Sequence, residues 1–189
     1  MMKRPIHPLL DLREVLPELQ FEIVYATAEN VLGRPMYSEP IAWLHPDAVE
    51  KLRKVLAHLK SRWNYGVRIW DAFRPFEAQE MLWERFPLPG FVAKPVRGEQ
   101  GELISGSNHS RGVALDATLF DLSTGRPLLM PSPFDDFSER ASRHSTMSAE
   151  VRSRLDRMEE AFFENGFKGL ESEWWHYDLL ESAVFPLLR

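Results

Sequence analysis

Two short segments of the chain carry the side chains best suited to metal-dependent chemistry. They are residues 107–116, SNHSRGVALD, and residues 173–176, EWWH. His109, Asp116 and His176 can supply three ligands to a zinc ion. A catalytic zinc site keeps three protein ligands and leaves a fourth position for water, whose pKa the metal lowers to about 7. Glu173 then stays free to accept a proton from that water, so the pattern indicates a hydrolytic zinc site.

Each of these residues also has an interpretation without a metal. His109 alone is equally typical of a polar turn, and His176 beside two tryptophans is also typical of a buried, hydrogen-bonded imidazole. Asp116 favours the metal, because a carboxylate between apolar neighbours needs a cation or several donors when it is buried. The seven-residue separation of His109 and Asp116 requires a turn between them, which Gly112 can supply.

Two further polar segments have open interpretations. Arg74 follows a predicted strand, where an arginine is either a surface residue or a fixed guanidinium that stabilises an oxyanion near the metal. The proline after it biases Arg74 away from helical backbone. The mixed charges of residues 135–140 are typical of a solvated loop.

The hydrophobic pattern predicts an α+β fold with a small, mostly antiparallel sheet that carries the zinc site and helices packed around it. Apolar residues at helical spacing predict three helices, and alternating apolar and polar residues predict strands. The predicted helices are 46–61, 77–86 and 148–165, and the predicted strands are 66–71, a segment around Asp116, and about 172–180. Ser148 is expected to cap the third helix.

Composition limits the class of protein. The chain has 189 residues, 44% of them hydrophobic, and a formal net charge of −5. This length predicts one domain spanning residues 1–189. The negative charge argues against a nucleic-acid partner. Cysteine is absent, so a zinc ion must be held by His, Asp or Glu.

The chain also lacks the patterns expected of a membrane protein. No segment approaches the roughly 20 apolar residues of a membrane span, and the first eight residues have no signal-peptide core. The chain as written is therefore expected to be cytoplasmic. A mature periplasmic protein whose signal peptide had been removed would look similar.

Taken together, these segments resemble the VanX-type zinc D-alanyl-D-alanine dipeptidases, within the wider group of zinc D-Ala-D-Ala peptidases. The similarity rests on Ser-x-His-x-x-Gly-x-Ala-x-Asp at 107–116 and Glu-x-Trp-His at 173–176. It extends in the same order to residues 25–30, 71–75, 134–140 and 172–177, and so covers roughly residues 20–185. The sequence departs from the family pattern at Phe73, where tyrosine is common, and at Asn108.

The resemblance implies a role for each site residue. His109, Asp116 and His176 would bind one Zn²⁺, Glu173 would be the catalytic base and then the acid, and Arg74 would stabilise the tetrahedral intermediate. It also implies a hedgehog/DD-peptidase-like fold and a small D,D-dipeptide as substrate. Supporting contacts to the charged ends of the dipeptide are implied for three residues: Tyr25, Ser107 and Asp135.

The implied reaction is hydrolysis of D-Ala-D-Ala to two D-alanines, either for D-alanine recycling or for depletion of a cell-wall precursor, as in glycopeptide resistance. One alternative is a D,D-carboxypeptidase or endopeptidase of the same zinc group that acts on peptidoglycan peptides. Another is a zinc-stabilised binding module without catalysis. A free glutamate argues against the module, because structural zinc sites usually have four protein ligands.

Overall fold

A five-stranded mixed sheet forms the centre of the protein. The structure is a computed structural model that describes residues 9–188. The strands are β1 (Leu10–Asp11), β2 (Gln20–Phe21), β3 (Trp43–Leu44), β4 (Tyr65–Asp71), β5 (Val96–Arg97), β6 (Leu103–Ser105), β7 (Ala114–Asp121), β8 (Phe167–Leu170) and β9 (Glu173–Leu179). The central sheet has the order β2-β4-β7-β9-β8. Only the β2–β4 pair in it is parallel, so the predicted, mostly antiparallel sheet is confirmed.

Residues 9–188 also contain four α-helices. They are α1 (Leu12–Val15), α2 (Pro46–Trp63), α3 (Phe76–Arg85) and α4 (Ala149–Glu164). Helices α2 and α4 contact each other, and they pack on β4 and β8 respectively. Their apolar faces are fully buried against the sheet, with the residues Ala48, Val49, Leu52, Val55, Leu56 and Leu59 on α2 and Val151, Leu155, Met158, Ala161 and Phe162 on α4. These two faces form part of the hydrophobic core, together with residues of the sheet.

Local signals in the sequence explain where the helices begin and end. The Ser148 side chain accepts a hydrogen bond from the Val151 amide, which confirms it as the cap of α4. Pro46 lies in the first turn of α2, where its missing N–H costs nothing, and Asn64 ends the helix in the left-handed conformation. The long predicted helices and strands are confirmed to within two residues at each end. The sequence pattern did not reveal the two-residue strands, because two positions are too few to show an alternation of apolar and polar residues.

The N-terminal segment, residues 1–8, for which the sequence predicts no signal peptide, lies outside the described residues. None of the helices described in residues 9–188 combines the length and the apolar character that a bilayer crossing requires.

We expect the turn before β7 to require glycine at position 112. This residue has φ +70°, and a Cβ placed on it would lie 2.7 Å from Cδ2 of Leu9. Gly125 has a similar φ of +68° but open space, with the nearest atom 3.9 Å away. Gly125→Ala should lower the free energy of unfolding by about 1 kcal/mol through backbone strain alone. Gly112→Ala should lower it by about 2–4 kcal/mol, because overpacking adds to the strain.

Urea unfolding of both variants measures the difference. Equal losses of stability would show that the contact with Leu9 relaxes without cost.

Candidate active site

The register of three neighbouring strands lines up the central polar residues. Asp71 at the end of β4 pairs with Asp116 on β7, and Asp116 pairs with His176 on β9. Directly opposed residues project to the same face of a sheet, with Cβ atoms about 4.5–5.5 Å apart. The three side chains therefore form one row across the sheet, although they are up to 105 residues apart in sequence (71 to 176).

His109 reaches this row from a turn. A single 3₁₀ turn, His109–Arg111, is followed by Gly112 in the left-handed conformation, and the chain then enters β7. The predicted turn between His109 and Asp116 is thus confirmed, with Gly112 in it. The His109 carbonyl accepts a hydrogen bond from the Arg74 amide, which joins this turn to the end of β4.

Three potential ligand atoms converge at the centre of the site. Nδ1 of His176 lies 3.0 Å from Oδ1 of Asp116 and 3.2 Å from Nε2 of His109, and the remaining His109–Asp116 distance is 3.3 Å. All three side chains are buried. Ligands at the usual 2.0–2.1 Å from a tetrahedral zinc lie about 3.3 Å from one another. The spacing and the two-nitrogen, one-oxygen donor set therefore fit a divalent metal such as zinc.

The outward-facing ring nitrogens are also occupied. Nδ1 of His109 lies 2.7 Å from the Ala72 carbonyl oxygen, which can only accept a hydrogen bond. Nε2 of His176 lies 2.9 Å from Oδ1 of Asp178. Partners of this kind hold each ring in the tautomer whose other nitrogen has a free lone pair, as metal-binding histidines require.

The electrostatics of the cluster favour a cation. Burial alone would raise the pKa of Asp116, but the adjacent His109 and His176 hold it well below its ordinary value. Burial also disfavours a charged His176, yet Asp178 and Asp116 raise its pKa well above the ordinary value. The site therefore stabilises positive charge between the two carboxylates, which a divalent ion can supply in place of protons.

Glu173 lies beside the three ligand atoms without joining them. Its Oε2 is 4.0 Å from Nδ1 of His176. Burial raises the pKa of Glu173 to about 8, with Asp116 and Asp135 adding to the increase and His176 opposing it. Residues three apart in a regular strand face opposite sides. The register between β8 and β9 shifts between Gly169 and Leu170, and this irregularity accompanies the approach of Glu173 to His176.

Arg74 is a buried residue, so its interpretation as a surface strand-end residue is wrong. Its Nε donates to Asp71 at 2.9 Å, its Nη1 to Gln79 at 2.9 Å, and its Nη2 to Oδ2 of Asp116 at 3.3 Å. The guanidinium also lies over the Tyr25 ring, 4.9 Å from its centre. Burial opposes the charge, but Asp71 and the other neighbours raise the pKa of Arg74 above its ordinary value, so the group remains a fixed cation.

A cavity of about 260 Å³ opens over these groups and is lined by all eight residues singled out from the sequence. Its polar wall includes Asp135, which is partly buried with φ +56°, not free in a solvated loop as its mixed-charge segment predicts. The Tyr25 hydroxyl donates to both Asp135 oxygens, at 2.9 and 3.0 Å. Burial and the charge of Asp116 raise the pKa of Asp135 to about 7. The Ser107 hydroxyl accepts from the His109 amide at 3.2 Å.

Four residues of the site had no role in the sequence interpretation. Asp71 accepts hydrogen bonds from Arg74 and from the Tyr37 hydroxyl at 2.7 Å, and Gln79 links Arg74 to the Ala93 carbonyl. Asp178 contacts His176. Only Asp178 left a usable signal, because a residue two positions after His176 in a strand shares its face. Tyr37 and Gln79 come from segments whose proximity depends on the tertiary fold.

The described residues contain one other group of possible ligands, His58, Glu160 and Glu164, on the surface of α2 and α4. Glu160 already pairs with Arg62, and the Glu160 and Glu164 side chains are 38% and 58% exposed. This group therefore lacks the burial that distinguishes the central cluster.

Comparisons with known proteins agree with the geometry. The sequence profile of the peptidase M15 family, described as D-Ala-D-Ala dipeptidase, matches residues 6–186. A D-alanyl-D-alanine dipeptidase of Escherichia coli is 37% identical, over 95% of this chain and 89% of that protein. Proteins of the same name from Enterococcus faecium and Streptomyces coelicolor are 32% and 25% identical, over 93% and 89% of this chain and 92% and 89% of their own lengths.

We expect Asp71 to be the main electrostatic support of Arg74. Asp71→Asn removes the negative charge nearest to a buried guanidinium and should lower the free energy of unfolding by about 3 kcal/mol. Tyr37→Phe removes only one hydrogen bond to Asp71 and should cost about 1–2 kcal/mol. Chemical denaturation with a chelator present keeps metal binding out of the comparison. A smaller loss for Asp71→Asn than for Tyr37→Phe would contradict this assignment.

Proposed function

Because the chain belongs to the peptidase M15 family of D-Ala-D-Ala dipeptidases, we propose that it is a zinc metallopeptidase that hydrolyses D-Ala-D-Ala to two D-alanines. The observation that carries this proposal is the convergence of three ligand atoms within 3.3 Å of one another, with the unattached carboxylate of Glu173 beside them. The relatives named above are D-alanyl-D-alanine dipeptidases, which supports the same substrate for this chain.

His109, Asp116 and His176 would hold the metal. Family members are metallopeptidases, and the donor set of two imidazoles and one carboxylate is one that zinc accepts. When bound, zinc supplies Lewis acidity and lowers the pKa of a water molecule to about 7. Three protein ligands would leave the fourth coordination position for water or substrate, as in catalytic zinc sites.

Glu173 would be the group that moves the proton. Its carboxylate accepts a proton from the attacking water and later donates it to the nitrogen of the departing D-alanine. A buried carboxyl with a raised pKa accepts and releases a proton near neutral pH more readily than an exposed one. The same residue can therefore serve as base and then as acid.

Arg74 would stabilise the negative charge that develops on the carbonyl oxygen. Its guanidinium lines the cavity and is held by Asp71, Gln79 and Asp116, so little reorganisation is needed when the charge appears. Electrostatic stabilisation by groups fixed in advance is usually the largest contribution of an active site to rate.

Asp135 and Tyr25 would recognise the amino end of the dipeptide. An ammonium group near Asp135 would stabilise its carboxylate form, which is otherwise disfavoured by burial and by Asp116. Ser107 would contact another polar group of the dipeptide. Recognition of a free ammonium group distinguishes a dipeptidase from a carboxypeptidase that acts on longer, acylated peptides. A glutamate in the pocket that is not a metal ligand distinguishes an enzyme from a zinc-stabilised binding module.

We expect Glu173→Gln to separate catalysis from metal binding. The amide cannot accept a proton, so kcat for D-Ala-D-Ala should fall by about 10²–10⁴-fold. Zinc content should stay at one per chain, because Glu173 is not a ligand. Glu171→Gln, two residues away with its side chain 78% exposed, is the matched control and should keep full activity. Metal analysis and D-alanine release give both results, and loss of zinc from Glu173→Gln would show that this residue is a ligand.

We also expect the enzyme to discriminate against an acylated substrate. N-acetyl-D-Ala-D-Ala lacks the ammonium group and would leave Asp135 without a cation, so its kcat/KM should be at least about 100-fold lower than that of D-Ala-D-Ala. Asp135→Asn should lose most of this preference by weakening hydrolysis of the free dipeptide. Equal cleavage of both substrates by the unmodified protein would favour the carboxypeptidase alternative.

A further inference from the structure

A carboxylate that is not among the three possible ligands contacts one of them. Asp178 lies two residues after His176 on β9, so the two side chains share a face of the strand. Oδ1 of Asp178 is 2.9 Å from Nε2 of His176, the ring nitrogen that points away from Asp116 and His109. The Asp178 side chain is 15% exposed and His176 is 10% exposed, so water competes little for this contact.

A second polar residue lies in the same cavity wall as Asp178. Asn108 and Asp178 both line the cavity. Asn108 is one of the two positions at which the sequence departs from the family pattern, and it directly precedes His109. The segment that carries one possible ligand, His109, therefore shares the cavity wall with Asp178, the partner of His176.

We propose that Asp178 is a positioning residue that keeps Nδ1 of His176 directed at the metal site. The inference rests on the proposed function insofar as His176 is a metal ligand. An ionised carboxylate can only accept, so Nε2 of His176 must donate to it and Nδ1 keeps its lone pair free. A negative partner also makes the imidazole a more basic ligand.

The charge of Asp178 suits this role. Its carboxylate oxygen lies within hydrogen-bond distance of Nε2 of His176, so its negative charge is close to the imidazole. The three ligand atoms themselves carry only one negative charge, on Asp116. Asp178 adds a second negative charge through the imidazole, which stabilises a divalent cation without occupying a coordination position.

The alternative role for Asp178 is direct contact with substrate, because both Asp178 and Asn108 line the cavity. The two roles predict different changes. A positioning residue affects metal affinity and the tautomer of His176, whereas a substrate contact affects KM with the metal affinity unchanged.

The test compares Asp178→Ala and Asp178→Asn with the unmodified protein. Zn²⁺ affinity is measured by competition with a chelator of known affinity, and the His176 tautomer is read from ¹⁵N chemical shifts of histidine-labelled protein. Asp156→Ala, which removes a carboxylate that is 57% exposed on α4, is the matched control. Thermal unfolding with a chelator present checks that each variant is folded.

We expect Asp178→Ala to bind Zn²⁺ about 10–100-fold more weakly. In Asp178→Asn the amide oxygen can still accept from Nε2, so the tautomer should be retained and part of the affinity rescued. Asp156→Ala should have no effect. Activity of Asp178→Ala should recover in excess Zn²⁺ with KM unchanged.

Two outcomes would overturn the proposal. One is that Asp178→Ala has the same Zn²⁺ affinity and the same His176 tautomer as the unmodified protein. The other is that Asp178→Ala has a raised KM with unchanged Zn²⁺ affinity, which would make Asp178 a substrate contact. Failure of the proposed function is a separate result. In that case the Zn²⁺ affinity would still fall in Asp178→Ala as expected, but the unmodified, zinc-loaded protein would release no D-alanine from D-Ala-D-Ala.

Discussion

The buried carboxylate of Asp116 is the constraint on which the rest of the site depends. A charge removed from water at the centre of a sheet is unfavourable unless cationic or hydrogen-bonding groups surround it. His109 and His176 approach one oxygen of Asp116 and Arg74 approaches the other. The same groups that make this burial possible are those that suit metal-assisted hydrolysis. The stability of the fold and the chemistry of the site are therefore coupled at one side chain.

Rigid elements hold these partners in position. Three strands place Asp71, Asp116 and His176 in one row, and a turn joined by a backbone hydrogen bond to Arg74 adds His109. Around the row, other groups fix orientation: carbonyl and carboxylate partners orient the two imidazoles, and acidic and amide partners orient the guanidinium. Such support keeps reacting groups close to productive geometry, which flexible loops alone do not achieve.

The order of negative and positive groups is also consistent with the division of tasks proposed for the site. Asp116 belongs to the cluster of potential ligands, Glu173 lies 4.0 Å from Nδ1 of His176, and Asp135 lies on the cavity wall with Tyr25. Burial raises the pKa of Glu173 and of Asp135, whereas the histidines lower that of Asp116. Carboxyl groups that differ in this way can serve as ligand, proton carrier and ammonium acceptor within one small cavity.

The sequence by itself determined the long elements and the residue types of the chemistry. Helical periodicity in α2 and α4 and the Ser148 cap act through neighbouring residues, so they are visible without a structure. The motifs around His109 and His176, with the family resemblance, named the candidate ligands and Glu173. Tertiary structure alone decided that Arg74 is buried and that Asp71 and Gln79 accept its hydrogen bonds. It also decided that an irregular strand register accompanies the approach of Glu173 to His176. These relations depend on strand pairing and on segments far apart in the chain, which local pattern does not encode.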